Sequence, residues 1–468
     1  MDFRREPIAD LAAQVRAGTR TARDLVAHAL ERIETLNPKL NAFVAVDADG
    51  ALEAAARIDD AVTAGGDAGP LAGIPIGVKD LDDAEGFVTS HGSAIFAGGP
   101  AAVEDSPFVA RLKAAGCVVV GKTNTPELGW KADTDNVVFG ATRNPWNPDY
   151  SPGGSSGGAA AAVASGMVPL ATGSDGGGSI RIPSSCCGLS GVKPSLGRVP
   201  SGGLEGSGWL DLSTKGPMAR RVRDVVHALD VTVGPDPTDI RSLPRPEASW
   251  LAALEGAQLP TKVAWSPTLG YAPLDDEVRS LCEAVVERIR RTGTEVVEIE
   301  TVFEEDPVRD WLTMAVAYNW RTLAPYRGTD LWGKVDPLLA AQVDWAAEHL
   351  TALDLVRALD ACHDLNLHLV ELFRDVRLLL TPTCAGPPPP RALEGQGMIN
   401  GELEPNWARF TYPFNMTRSP AASVCAGLTS HGLPVGIQLV GPQHADLVVI
   451  RSAAALETLV GFDEVAPQ

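Results

Sequence analysis

Two glycine clusters, each with serine at its heart, hold the residues of this chain best suited to chemistry. The first reads Ser151-Pro-Gly-Gly-Ser155-Ser156-Gly-Gly158, the second Gly173-Ser-Asp175-Gly-Gly-Gly178-Ser179-Ile-Arg181-Ile-Pro183, and an apolar run from Ala159 to Ala171 separates them. Glycine loses the most backbone freedom on folding, so such clusters are costly unless the chain must take positive φ or approach a ligand closely. Successive small residues also let backbone N–H groups converge on an anion or oxyanion. A flexible linker is the plain alternative, but linkers do not usually enclose an Ala/Val/Met/Leu run that reads as core. A serine beside such donors is a candidate nucleophile, and it needs a base.

Histidine is a poor candidate for that base. The eight histidines (28, 91, 227, 349, 363, 368, 431 and 444) lie in scattered contexts without a shared motif. Gly154-Ser-Ser156-Gly-Gly158 matches GxSxG, yet the turn-rich Asn144-Pro-Trp-Asn-Pro-Asp-Tyr-Ser-Pro152 precedes it where a nucleophile elbow needs a strand. Lysine is the usual substitute, effective when desolvation lowers its pKa toward neutrality. Lys79 follows the apolar run Leu71–Val78, which suits a buried strand, and Lys193 ends a similar Gly-Val-Lys. Spacing alone does not choose between them. Two further matches fail on mechanism. Gly116-Cys-Val-Val-Val-Gly121-Lys122-Thr123 fits a phosphate-loop pattern, but its interior is β-branched and reads as the strand itself. Ser190-Gly-Val-Lys193 fits SxxK, but Pro194 follows where a helix should continue.

The elements that must position these residues alternate between helix and strand. Thr21–Leu36 has a 3.6-residue apolar period with Thr21 and Asp24 as its cap, and Ala51–Ala64 is a second helix. Helix Pro107–Ala115 precedes a strand at 117–120, and amphipathic Asp276–Arg291 precedes one at 295–299. Strands are expected at Val376–Leu380 and Pro434–Val440, with a closing helix over Ala445–Val460. The pattern predicts an α/β fold with helices on both faces of a sheet. Residues 303–372 read as almost wholly helical. Trp311, Trp320, Trp332 and Trp345 there suit either a pocket wall or aromatic core packing.

Composition narrows the function. The 468 residues are 45% hydrophobic and 21% charged, ordinary for a globular protein. A net charge of −20 argues against a nucleic-acid surface. No run of about 18 apolar residues is present to span a membrane, and the start of the chain lacks a signal-peptide core. The seven scattered cysteines read as buried thiols, so a cytoplasmic location is expected. No metal-ligand cluster stands out, and neither metal nor cofactor is called for.

Gly-Val-Lys79-Asp, Ser-Pro-Gly-Gly-Ser-Ser-Gly-Gly (151–158), Gly-Gly-Ser-Ile-Arg-Ile-Pro (177–183) and Gly-Val-Lys-Pro (191–194) together resemble the amidase signature family. Serines 24 positions apart, at 155 and 179, fit its pattern. So do Asn144-Pro-Trp-Asn-Pro, Pro-Ala-Ala-Ser (420–423) and Gly-Leu-Pro-Val-Gly-Ile-Gln (432–438). The resemblance is strongest over 71–200, the signature core, and weakest over 240–375, a variable and largely helical insert expected to wall the substrate pocket. It implies one domain over 1–468, built on a mixed, twisted central β-sheet covered by helices.

It also implies a triad of Ser179 as nucleophile, Ser155 as proton relay after a cis Gly154–Ser155 bond, and Lys79 as base. Backbone N–H groups of Gly176, Gly177, Gly178 and Ser179 would meet the oxyanion, and Gly129 and Trp130 would line the pocket. Asp175 and Arg181 read as an ion pair shaping the loop. Many members carry Thr or Ile where Gly176 stands, a departure that leaves the backbone donor in place. The implied activity is hydrolysis of carboxylic amides, of esters or carbamates too, on a small-molecule substrate by a monomer or homodimer. The alternative is the glutamine-hydrolysing subunit of a tRNA-dependent amidotransferase.

Overall fold

The computed structural model describes residues 1–203 and 208–467. Among the described residues thirteen strands run in chain order as β1 Phe43–Val46, β2 Pro75–Lys79, β3 Val118–Thr123, β4 Leu170–Asp175, β5 Ser190–Lys193, β6 Thr214–Ala219, β7 Lys262–Trp265, β8 Glu295–Glu298, β9 Leu379–Pro382, β10 Gly397–Ile399, β11 Glu402–Glu404, β12 Ala421–Leu428 and β13 Pro434–Val440. Strands β10 and β11 form a separate hairpin. The other eleven make one sheet in the order β1-β3-β2-β4-β6-β5-β12-β13-β9-β7-β8. Its neighbours are parallel at β3-β2-β4 and at β9-β7-β8 and antiparallel elsewhere, so the sheet is mixed. Helices flank it, and one large apolar core lies beneath them.

The expected elements recur with small shifts at their ends. Helix Ala22–Leu40 opens with a reciprocal capping box between Thr21 and Asp24, and Asp276–Arg291 and β13 keep the expected bounds. Strand β9 begins three residues later than expected, since Val376 lies in the connection from the preceding helix. Within 240–375, β7 and β8 belong to the main sheet. The helical part proper comprises Val308–Leu323, Pro337–His349 and Ala352–Asp375. Residues 118–123 are strand β3, with Lys122 buried 3.3 Å from Asp80 and donating to the Asp82 carbonyl at 2.7 Å. The phosphate-loop match is therefore a sheet strand.

Parallel pairing of β2 with β4 decides where a site can form. Ile76 faces Leu170 and Gly77 faces Ala171, a register that brings the end of β2 level with Gly173, two residues before β4 ends. Lys79 is the last residue of one and Asp175 the last of the other. Open sheets bind ligands beyond the carboxyl ends of their parallel strands. The fully buried helix Gly157–Ala164 and β4 join the two glycine clusters, so the apolar run between them is structural.

Candidate active site

The base candidate sits where the sheet delivers it. Lys79 is fully buried at the end of β2, and its Nζ lies 2.8 Å from Ser155 Oγ, 2.8 Å from Ser156 Oγ and 3.1 Å from Ser174 Oγ. Its own N–H donates to Thr172 Oγ1 at 2.8 Å, which holds the strand end against β4. Burial pushes the ammonium down to about 7. Lys215 acts in the same sense, while the carboxylates of Asp82 and Asp175 oppose it. A neutral amine surrounded by hydroxyls can accept a proton from one of them.

Lys193 is also fully buried and pushed down to about 7, by burial and then by Arg181. Its Nζ donates to the Pro194 carbonyl at 3.3 Å and to no serine among the described residues. Geometry thus separates two lysines that sequence spacing and titration leave equivalent.

The two serine clusters meet at their backbones. The Gly154–Ser155 bond is cis, and the Ser156 N–H donates to the Ser179 carbonyl at 3.3 Å. Loop 144–152 is tied to the helix Arg181–Cys187 through Asn144, whose amide donates to the Ser151 and Cys186 carbonyls at 3.0 and 2.9 Å. Ser155 and Ser179 both line a cavity of about 420 Å³. No hydrogen bond joins their hydroxyls among the described residues. Such contacts are often long without substrate and tighten in the complex.

The nucleophile loop is wrapped around a buried ion pair. Arg181 Nε and an Nη donate to the two oxygens of Asp175 at 2.9 and 2.8 Å. Asn415, Gln438 and the Thr411 carbonyl complete the shell, accepting from the Arg181 Nη groups at 2.7, 2.6 and 2.9 Å. Burial would raise the Asp175 carboxyl, but the guanidinium holds it well below the usual carboxylate range. Gln438 explains why the late Gly-Ile-Gln segment accompanies the glycine clusters.

That carboxylate also corrects one expected donor. The Gly178 N–H donates to Asp175 Oδ1 at 2.8 Å, so it turns into the loop and does not face the cavity. Among the described residues the N–H groups of Gly176, Gly177 and Ser179 make no protein hydrogen bond. Their carbonyl sides are anchored from behind. Gly176 accepts from Trp311 Nε1 at 2.9 Å, and Gly177 accepts from Thr411 Oγ1 at 2.5 Å.

Gly129 lines the cavity at φ +73°, where an added Cβ would sit 3.2 Å from Ser155 Oγ. Trp130 does not line it. It packs instead against the apolar cluster of Leu128, Leu323, Val335, Leu339 and Val343. Trp320 and Trp332 belong to the same cluster, whereas Trp345 is exposed and stacks on His349. Ser156, Ser174 and Trp209 are neighbours in the site that received no role from the sequence. The first two lie within the serine clusters, Ser156 as the serine of the rejected GxSxG match. Trp209, which covers Gly176, comes from a segment with no periodic signal.

All seven cysteines are free, and among the described residues no three His, Cys, Asp or Glu side chains converge as a metal would need. No helix among the described residues is long and apolar enough to cross a membrane.

Fold and site together define a mixed α/β protein with its candidate centre at the carboxyl ends of parallel strands. The profile of the family described as Amidase matches residues 24–450. The chain belongs to that family, whose members are hydrolases acting on carbon–nitrogen bonds. It is 35% identical over 456 residues to an acylamidase of Rhodococcus erythropolis, covering 96% of this chain and 94% of that protein. It is 32% identical to a glutamyl-tRNA(Gln) amidotransferase subunit of Thiobacillus denitrificans, covering 98% of each. A bacterial aryl acylamidase of the amidase signature family superposes with a TM-score of 0.90 at 30% identity, covering 98% of this chain and 96% of that one.

Proposed function

We propose that this amidase hydrolyses aryl or alkyl carboxylic amides through an acyl-enzyme on Ser179. Neutral Lys79 takes a proton from Ser155 as Ser155 takes one from the Ser179 hydroxyl, and Ser179 Oγ attacks the amide carbonyl. The N–H groups of Gly176, Gly177 and Ser179 receive the oxyanion, each such donor being worth about 3 kcal/mol. Ser155 gives its proton to the departing amine and is reprotonated by Lys79, which leaves the base neutral; water, giving its proton to the same relay, then cleaves the ester at Ser179 and releases the acid. Esters and carbamates share this acyl transfer and are expected substrates.

The observation that carries this reading is the 2.8 Å approach of a buried Lys79 Nζ to Ser155 Oγ beside the Ser179 loop. The apolar side chains of Leu81, Phe96, Leu128 and Trp209 in the cavity favour an aryl or alkyl group, and the acylamidase relatives support the same class. Seven free cysteines fit a reducing, cytoplasmic setting. Replacing Ser179 by Ala should abolish turnover of p-nitroacetanilide with folding retained; undiminished turnover would refute the mechanism.

The amidotransferase relative, matched over 98% of both chains, keeps glutamine hydrolysis as the second reading. Hydrolysis of glutamine with no turnover of anilides would favour it.

A further inference from the structure

The Ala352–Asp375 helix is apolar on two opposite faces. Ala358, Leu365 and Leu369 are buried against the protein. Across the helix from them, Leu353, Val356, Leu367 and Val370 are each between 49% and 56% exposed, and Leu359 on the flank is 44% exposed. No other described helix exposes so many large aliphatic side chains. A surface helix ordinarily turns its polar face outward.

The exposed stripe has an order of its own. Leu353, Val356, Asp360, His363, Leu367 and Val370 follow one another at spacings of three, four, three, four and three, the seam of a two-helix coiled coil. The stripe is also a chemical palindrome about the point between Ala361 and Cys362. A two-fold axis there, with the helices antiparallel, sets Leu353 against a second copy's Val370, Val356 against its Leu367, and Asp360 against its His363. The same axis brings Arg357, beside the seam, near the second copy's Asp364. Parallel helices in register would instead oppose Asp360 to Asp360 and His363 to His363. Charge therefore selects the antiparallel arrangement, and a polar pair within an apolar seam fixes its register. A self-complementary patch of this kind suits an isologous contact, where each residue meets its counterpart twice.

We propose that the occupant of this face is a second copy of the same chain, joined through antiparallel Ala352–Asp375 helices as a two-fold dimer. The stripe lies on the face of that helix turned away from the protein, so the contact leaves the cavity residues in place.

Sedimentation velocity on the full chain, from about 1 to 100 μM, tests this independently of turnover. The wild type should sediment at twice the monomer mass over the upper part of that range, and Leu367→Glu at the monomer mass. Asp360→Lys should weaken the dimer at least about tenfold, and the exchanged pair Asp360→Lys with His363→Glu should restore it. Retained circular dichroism and amidase activity in these surface variants would exclude misfolding. A monomeric wild type, a dimer indifferent to Leu367→Glu, or failure of the exchanged pair to restore association would each overturn the proposal.

Discussion

Trp311 Nε1 donates to the carbonyl of Gly176 at 2.9 Å, so a helix outside the sheet sets the tilt of a peptide group in the nucleophile loop. In a trans peptide the carbonyl and the following N–H point in opposite directions. Anchoring the Gly176 carbonyl therefore turns the Gly177 N–H away from the indole, the direction the proposed oxyanion role requires. The indole is itself held by stacking on Tyr412, with centroids 5.2 Å apart and planes at 22°. Any side chain at Gly177 would run into that indole.

Replacing Trp311 by Phe keeps the stack and removes the donor. The expected outcome is a fall in kcat of about tenfold with KM little changed, because the lost alignment matters chiefly when the oxyanion forms. Steady-state kinetics on an anilide checks it, and a rise in KM with kcat intact would assign Trp311 to substrate binding.

The lysine base predicts a pH profile. Only the neutral amine can accept a proton, and Lys79 is pushed down to about 7 by burial. The rate should therefore rise with pH below about 7 and level off above it. Lys193 also titrates at about 7 but touches no serine among the described residues. Lys79→Met should remove the rise and cost about 10²–10⁴ in rate, whereas Lys193→Met should leave the midpoint where it was. The reverse pattern would move the base to Lys193.

Ser155 and Ser156 are equally close to Lys79 Nζ, at 2.8 Å, but Ser155 lines the cavity, whereas Ser156 accepts from the Ser174 N–H at 3.4 Å within the fold. Ser155→Ala should cost about 10²–10⁴ in kcat as a lost proton relay. Ser156→Ala should cost about tenfold or less. Equal losses would contradict a single relay.

Asp175→Asn should act on stability before chemistry. It leaves the fully buried Arg181 without its counter-charge and weakens the acceptor of the Gly178 N–H. Breaking such a pair from one side costs about 3–5 kcal/mol. Urea unfolding measures it, and an unchanged midpoint would mean that Asn415, Gln438 and the Thr411 carbonyl satisfy the guanidinium without the carboxylate.

How much of this was legible in the sequence follows from which interactions are local. The capping box of Thr21 and Asp24, the 3.6-residue period of Asp276–Arg291 and the Lys79 strand are short-range patterns, and they recur in the fold. The two serine clusters stood out because glycine at that density needs a reason. The choice of Lys79 over Lys193 was not in the spacing: it depends on β2 pairing with β4, a contact between residues some ninety positions apart. Commitment of the Gly178 N–H to Asp175 was equally hidden, since a run of small residues does not disclose which N–H turns inward. Trp311 was one of four tryptophans in a helical stretch. Only packing distinguishes the one that reaches the loop from the one left exposed.

The central claim is that Ser179 alone is the nucleophile, activated through Ser155 by Lys79. Peptide mass mapping after reaction with a serine-directed fluorophosphonate tests it most directly. The expected result is one phosphonyl group on Ser179 in the wild type, none in Ser179→Ala, and slowed labelling in Lys79→Met. Labelling of Ser155 or Ser156 in the wild type, or no labelling of an active enzyme, would contradict it.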